Sequence, residues 1–262
     1  MYKIVKIMFA GTDGALADAE SLKQKAEDFL NALVNSGQIM EEYLLLWREG
    51  ILSAMVSIPW KDALDDRYAS EYVRQNAEGL SIRCEVVGDD ALSTSPCSCL
   101  NSSWYLLDMG SDNISSPLYC GDCGEEIPLC KIPYLDQSGD HHRMISWQRV
   151  HQAVIRLWTE SLSDRFSRRQ IEDPASRLNR LEREFASALE GKLGKPVFLY
   201  LENPLSYFTR EKPLLTDCPV CGKPLRRKNF AGGAYGETGV CEDCRICVSM
   251  PEIKHESFGK ET

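Results

Sequence analysis

The spacing of apolar residues predicts alternating strands and helices over the start of the chain. Residues 2–9 are apolar and β-branched, which predicts a strand. A helical repeat follows, and Gly37 is suited to end that helix. Tyr43–Arg48 and Ile51–Ile58 predict two further strands, because a Glu-Gly pair between them is typical of a hairpin turn.

Two more elements complete the pattern before residue 90. Residues 62–75 place apolar side chains four positions apart, which predicts a helix, and residues 80–87 predict a strand. The resulting βαββαβ order is typical of a ferredoxin-like domain. Its two helices would cover one face of the sheet. The other face needs a cover, and arginine-rich helices later in the chain are available for it.

The rest of the chain mixes short strands with longer helices. Residues 104–109 predict a strand, and residues 144–162 predict a helix with a broad apolar face. Residues 163–172 are polar and predict a link. Asp173 and Pro174 are suited to the first positions of another helix, and a strand is predicted near residue 200.

These elements predict an α+β protein built from five segments. They are a ferredoxin-like α/β domain at 1–90, a cysteine-rich zinc-binding insert at 91–142, a helical pair with a closing strand at 143–212, a zinc ribbon at 213–250 and a flexible tail at 251–262.

Composition and charge limit the classes of function that the sequence supports. Hydrophobic residues make up 43% and charged residues 26%, as in a globular protein. Residues 1–142 carry 10 Lys/Arg and 23 Asp/Glu, whereas residues 143–183 carry 9 Arg and 5 Asp/Glu. The acidic part disfavours phosphate and suits a basic protein partner. No apolar stretch reaches membrane-spanning length, and the first ten residues lack a signal-peptide pattern, so we expect a cytoplasmic protein.

The C-terminal cysteines have the spacing of a zinc ribbon. Cys218 and Cys221 form a CxxC pair followed by Gly222, and Cys241 and Cys244 form a second pair 19 residues later. Four thiolates close a tetrahedron, which predicts a structural zinc ion rather than a catalytic one. Cys247 forms a further CxxC with Cys244, so either Cys241 or Cys247 could be the ligand, and the first is favoured.

A second group of cysteines predicts another zinc ion. Cys97 and Cys99 form a CxC pair, and Cys120 and Cys123 form a CxxC pair 20 residues later. Two structural zinc ions are therefore expected. Cys84 and Cys130 fall in apolar stretches that predict strands, and we expect both to be buried packing residues.

Two basic groups could contact nucleic acid. The first group lies in the polar link. The second follows the first CxxC pair of the predicted zinc ribbon and lies beside aromatic residues, an arrangement suited to binding single-stranded nucleic acid. The alternative for both is a solvated charged surface. The residues concerned are Arg165, Arg168, Arg169, Arg226, Arg227 and Lys228.

No catalytic constellation is evident, and no small-molecule substrate is indicated. His151 lies one helical turn from Trp147 and from Ile155, so packing is favoured over a role as a general base. His141 and His142 are expected in a solvated loop. A non-enzymatic protein is therefore the favoured hypothesis.

The four cysteine pairs resemble those of a known family. Cys97-Ser-Cys99, Cys120-Gly-Asp-Cys123, Cys218-Pro-Val-Cys221 and Cys241-Glu-Asp-Cys244, with an α/β region before them, are similar to bacterial zinc-ribbon-containing proteins of unassigned function. The resemblance implies zinc, and that family's description implies a nucleic-acid partner.

Two hypotheses for the partner stay open. In one, a zinc protein binds nucleic acid through residues 143–183 and the ribbon loop. In the other, a protein-binding module, such as a bacterial immunity protein or an adaptor, uses its acidic first part against a basic protein.

Overall fold

The computed structural model describes residues 1–12, 18–110, 116–135, 139–160, 162–202, 215–230 and 237–250. The predicted tail at 251–262 lies outside the described residues, as does the glycine-rich stretch 232–236, for which the sequence predicts the hairpin tip of the ribbon. The described part is a mixed α+β structure with two sheets.

The first sheet has four strands in the order β2-β3-β1-β4, with every neighbouring pair antiparallel. Alternate residues of β1, Val5, Ile7 and Phe9, face a core shared with α1 and α2. Glu49 and Gly50 both have positive φ, as a two-residue hairpin turn requires. The elements are β1 (Lys3–Gly11), α1 (Ala19–Asn35), β2 (Tyr43–Arg48), β3 (Ile51–Ile58), α2 (Glu71–Ala77) and β4 (Leu80–Asp89).

The second predicted helix is shorter than expected and begins later. Residues 62–75 contain a single 3₁₀ turn, Asp66–Tyr68, before α2 begins at Glu71. The reason is the cap: the Ser70 side chain accepts a hydrogen bond from the Val73 N–H at 3.1 Å, which fixes the helix start there.

The second sheet has six strands in the order β6-β5-β7-β10-β9-β8. The second, third and fourth strands in this order are parallel to one another, and the strand that borders them on each side is antiparallel to them. The last strand is antiparallel to its neighbour. These strands come from three of the predicted segments, which therefore share one sheet. The strands are β5 (Tyr105–Leu107), β6 (Leu118–Cys120), β7 (Val197–Tyr200), β8 (Arg226–Asn229), β9 (Glu237–Cys241) and β10 (Ile246–Ser249).

Three helices accompany this sheet: α3 (His142–Thr159), α4 (Asp164–Glu172) and α5 (Arg177–Leu193). The predicted polar link is thus a helix, because buried Ile171 packs with Val154 and Leu178 of the flanking helices. Ser176, rather than Asp173, caps α5, since its side chain accepts a hydrogen bond from the Asn179 N–H at 3.1 Å. Side chains of α3 and α5 form the core beneath one face of the sheet.

The arginine-rich helices leave the outer face of the first sheet exposed. Leu44 is 58% exposed and Ile51 is 52% exposed on that face. The second half of the protein instead meets the first beside α1, where the His141 N–H donates to the Asn35 carbonyl at 2.7 Å. The Tyr2 hydroxyl adds a buried hydrogen bond of 2.6 Å to the Glu126 carboxylate. In the described part of the chain, no helix combines the length and apolar character that crossing a membrane requires.

Candidate metal centres

The central cysteines meet in the structure. The Sγ atoms of Cys97, Cys99, Cys120 and Cys123 all lie within 4.8 Å of one another. Cys120 is the last residue of β6, and a turn then brings Cys123 back beside it. Gly124 closes this turn with φ +77°, and its N–H donates to the Cys120 carbonyl at 2.8 Å.

The CxC pair of this group is held by a neighbouring loop and by its own backbone. The Cys97 N–H donates to the Glu126 carbonyl at 2.8 Å, which anchors the pair beside β6. The Cys99 N–H donates to the Cys97 sulfur at 3.4 Å. Cys97 and Cys120 are buried, whereas Cys99 is exposed. The group therefore lies at a surface with half of its sulfur atoms inside the protein.

Burial and hydrogen bonding act in opposite directions on these thiols. Burial raises the pKa of Cys97 to about 11 and also raises the pKa of Cys123. Burial opposes ionisation of Cys120 too, but a 3.0 Å hydrogen bond with the Ser102 hydroxyl and bonds from backbone N–H groups lower its pKa overall. Binding a metal ion here would displace protons, because thiolates rather than thiols are the ligands.

The C-terminal cysteines form an equivalent group. The Sγ atoms of Cys218, Cys221, Cys241 and Cys244 also lie within 4.8 Å of one another. The first pair sits in a turn that Gly222 closes with φ +71°, and the Gly222 N–H donates to the Cys218 carbonyl at 2.9 Å. Cys241 ends β9, and Cys244 follows in the turn that leads to β10.

One thiol of this second group is poised to ionise. The backbone N–H of Lys223 is the main cause that lowers the pKa of exposed Cys221 to about 7. Burial raises the pKa of Cys241 and that of Cys244. Both groups offer four sulfur donors and no open position, so the residues of each fit one tetrahedrally bound metal ion such as zinc.

The other cysteines lie apart from the two groups. Cys247, the alternative ligand, is fully buried within β10, and burial raises its pKa to about 12. Cys84 was expected to be buried, but it is exposed because β4 is an edge strand that α2 leaves partly uncovered. Cys130 is half-buried against the first core, in a 3₁₀ turn (Leu129–Lys131) rather than the expected strand.

The structure separates the six basic residues into two environments. On the ribbon, Arg226 pairs with Glu242, and Arg227 pairs with Glu237. Lys228 lies above the Trp104 ring, 4.3 Å from its centroid.

On α4, Arg168 pairs with Glu172 at 3.2 Å, whereas Arg165 and Arg169 are exposed one helical turn apart. In the part of the chain that the structure describes, neither of these two exposed arginines forms an ion pair.

Sequence reasoning missed a buried pair of ionisable groups. His151 Nδ1 lies 2.5 Å from Glu182 Oε1, and both residues are at most 3% exposed. Burial disfavours the charged imidazole, but the negative charge of Glu182, aided by Glu202 and Asp108, raises the pKa of His151 overall. A signal was present in the sequence, because Glu182 falls on the apolar stripe of α5 between Leu178 and Phe185.

The histidines of the predicted solvated loop also differ from each other. His142 is exposed, but His141 is buried with its ring centroid 4.7 Å from that of Tyr134.

Comparison with known proteins finds a match to one family model. Residues 99–202 match the family model DUF2310, a domain of unknown function. No curated protein and no solved structure matches the chain. The matched span begins at Cys99 and contains β5–β7 and α3–α5, whereas the C-terminal cysteine group lies outside it.

Proposed function

We propose that this protein is a non-enzymatic nucleic-acid-binding protein stabilised by two structural zinc ions. Four sulfur donors in each group, with no open coordination position, support a structural role for both ions. Elemental analysis of the purified protein should find two zinc ions per chain. A value of one or none would remove one or both of the proposed sites.

The ferredoxin-like assignment of the first domain belongs to the same proposal. The βαββαβ order, the strand order β2-β3-β1-β4 and the antiparallel pairing of all neighbours support it. The two helices contribute to a core on one face of this sheet. In this assignment the first domain is a scaffold, and its acidic composition places the nucleic-acid contact elsewhere.

The observation that carries the nucleic-acid proposal is the exposed side of α4. Arg165 and Arg169 lie one turn apart on this helix, and Phe166 beside them is 54% exposed. Guanidinium groups bind phosphate, and an exposed aromatic ring offers a surface on which an unpaired base can stack. The ribbon residues Arg226 and Arg227 are less available, since each pairs with a glutamate of its own ribbon.

Binding of a single-stranded oligonucleotide, measured by fluorescence anisotropy over a range of salt, tests this proposal. The R165A/R169A variant removes up to two phosphate contacts, so the slope of log affinity against log salt should fall by about 1.4. The F166A variant should lose roughly 1–3 kcal/mol of affinity through lost stacking. Failure of the unmodified protein to bind at low salt would overturn the proposal.

A triple variant of the ribbon tests where the phosphate contacts lie. If the ribbon supplies the phosphate contacts, R226A/R227A/K228A should lower the slope by about 2. The α4 proposal expects this variant to keep the slope of the unmodified protein. Melting temperatures of all variants serve as the control for folding.

A second candidate function is binding of a basic protein by the acidic first domain. The exposed apolar residues Leu44 and Ile51 and an adjoining groove of about 560 Å³ favour it. Glu42 lines this groove and is exposed, so E42K should slow association with a basic partner isolated from native cells. An unchanged association rate for that complex would argue against this candidate.

A further inference from the structure

The carboxyl ends of the three parallel strands lie at one edge of the second sheet. In sheets with parallel strands, this edge is where ligands commonly bind. Asp108 directly follows β5, Glu202 follows β7 by two residues, and Ser249 ends β10. The polar ends of these adjacent strands therefore meet at one edge of the sheet.

A buried histidine points into this edge. Glu182 fixes the ring of His151 through the 2.5 Å contact at Nδ1, so that Nδ1 carries the proton donated to the carboxylate. In the neutral imidazole, the form that binds a metal ion, the Nε2 atom presents a lone pair. His151 is 3% exposed, and its Nε2 atom has no hydrogen-bond partner among the described residues. Such an orphaned, oriented nitrogen requires an explanation in a native structure.

The surroundings of Gly110 show which group lies near His151 Nε2. A Cβ placed on Gly110 would lie 2.4 Å from Glu202 Oε1 and 3.1 Å from His151 Nε2. Both atoms therefore lie within 3.1 Å of one point, which only a residue without a side chain leaves open. The Gly110 N–H also donates to Asp108 Oδ1 at 2.9 Å, which places a second carboxylate beside this point.

We propose that His151 and Glu202 bind a divalent transition-metal ion at this edge, with Glu182 as the positioning residue for His151. A carboxylate that holds the far nitrogen of a metal-binding histidine is a frequent arrangement, because it fixes the tautomer and strengthens the ligand. Glu182 is fully buried, and its Oε2 atom has no hydrogen-bond partner among the described residues, so a nearby cation would also offset its charge. Imidazole and carboxylate donors suit ions such as Mn²⁺ and Fe²⁺.

Mn²⁺ is the appropriate probe, because it prefers oxygen and imidazole ligands to thiolates and should leave zinc in the cysteine groups. The full-length protein with two zinc ions per chain and no free zinc is titrated with Mn²⁺ and followed by electron paramagnetic resonance, which should show one tightly bound Mn²⁺ per chain. Electron spin-echo measurements should detect nitrogen coupling from the imidazole of His151. The absence of binding, or bound Mn²⁺ without nitrogen coupling, would overturn the proposal without any mutation.

Variants with matched controls test the ligands. H151A should weaken Mn²⁺ binding at least tenfold and abolish the nitrogen coupling, whereas H142A, at an exposed histidine of the same helix, should change neither. E182Q should weaken binding on the order of tenfold, whereas E184Q on the exposed side of α5 should have no effect. Equal affinities for H151A and H142A, with both proteins folded and zinc-loaded, would refute the site.

Discussion

In each cysteine group, a first cysteine pair is followed by two antiparallel strands and then by a second cysteine pair. The central ribbon uses β5 and β6, and the C-terminal ribbon uses β8 and β9. In both, the last strand ends on a buried cysteine, Cys120 or Cys241. An aspartate within the second cysteine pair contacts a residue that follows the first pair. Asp122 accepts a hydrogen bond from the Ser103 N–H at 2.6 Å, and Asp243 forms an ion pair with Lys223.

The two ribbons differ at the residue after that buried cysteine. In the central ribbon it is Gly121, where a Cβ would lie 2.1 Å from the Trp104 ring. In the C-terminal ribbon it is Glu242, an accessible residue that pairs with Arg226 and Arg245.

The central ribbon is therefore held by packing, and the C-terminal ribbon has ion pairs at the same place. Trp104 also makes edge-to-face contacts with Phe198 of β7 and with Phe230, at centroid distances of 5.6 and 5.7 Å. Aromatic packing of this kind contributes far more to stability than exposed charge pairs do. Mutation is therefore expected to change the stability of the two ribbons by different amounts.

Removal of one cysteine ligand from each ribbon should give the largest difference in unfolding behaviour between the two ribbons. Structural zinc is worth roughly 10–16 kcal/mol of apparent binding energy in small modules, comparable to the stability of a whole domain. C120S leaves a fully buried defect in β6, so the six-stranded sheet should lose its cooperative melting. C221S affects an exposed rim position, so the C-terminal ribbon should unfold locally and the first domain should stay folded.

Circular dichroism and elemental analysis check this contrast. Each variant should retain about one zinc ion per chain, and C84S, at an exposed cysteine outside both groups, should retain two. Loss of all cooperative melting in C221S would show that the C-terminal ribbon and the first domain do not fold independently.

An intermediate effect is expected at the position where the ribbons differ. G121A forces a methyl group against the Trp104 ring, and overpacking of this kind costs roughly 1–3 kcal/mol. E242A removes only surface ion pairs, so its cost should stay below about 1 kcal/mol. Urea unfolding with zinc bound measures both variants. Equal losses would mean that packing does not distinguish the two ribbons.

The smallest effect concerns the ion pair that joins the C-terminal ribbon to α5. Arg245 contacts Glu190 at 2.8 and 3.1 Å, and its hydrogen bonds lower the pKa of Glu190. A lowered pKa in the folded state stabilises the protein above the unfolded pKa of about 4.3, and this contribution is lost as the pH falls through the folded value. E190Q should therefore cost at most about 1 kcal/mol at neutral pH.

The experiment measures how the free energy of unfolding of the unmodified protein and of E190Q depends on pH. The stability gap between the unmodified protein and E190Q should be constant from neutral to mildly acidic pH and shrink below pH about 4. Zinc content is measured alongside, and because both proteins have the same cysteine groups, metal loss cancels in the comparison. E184Q on the same helix serves as the control, and a gap that does not change with pH would contradict the ion-pair explanation.

Local sequence signals determined much of this protein. The strands around the Glu-Gly turn could be predicted because alternation and positive-φ turn residues act over a few positions. Both cysteine groups could be predicted as well, since the CxxC and CxC spacings leave little freedom for where the sulfur atoms point. The start of α5 could not, because Asp173 and Ser176 are both acceptable N-caps, and only the structure shows that the Ser176 side chain accepts a hydrogen bond from the Asn179 N–H.

Other features depended on contacts between distant segments. The sequence left Cys241 and Cys247 as alternative ligands, and only the pairing of β10 with β7 placed Cys247 inside the sheet. The proximity of His151, Glu182 and Gly110 likewise depends on two helices packing beneath one sheet. Spacing along the chain determines which groups a short turn can bring together. Long-range packing determines which of the remaining groups meet, because burial is a property of the whole fold.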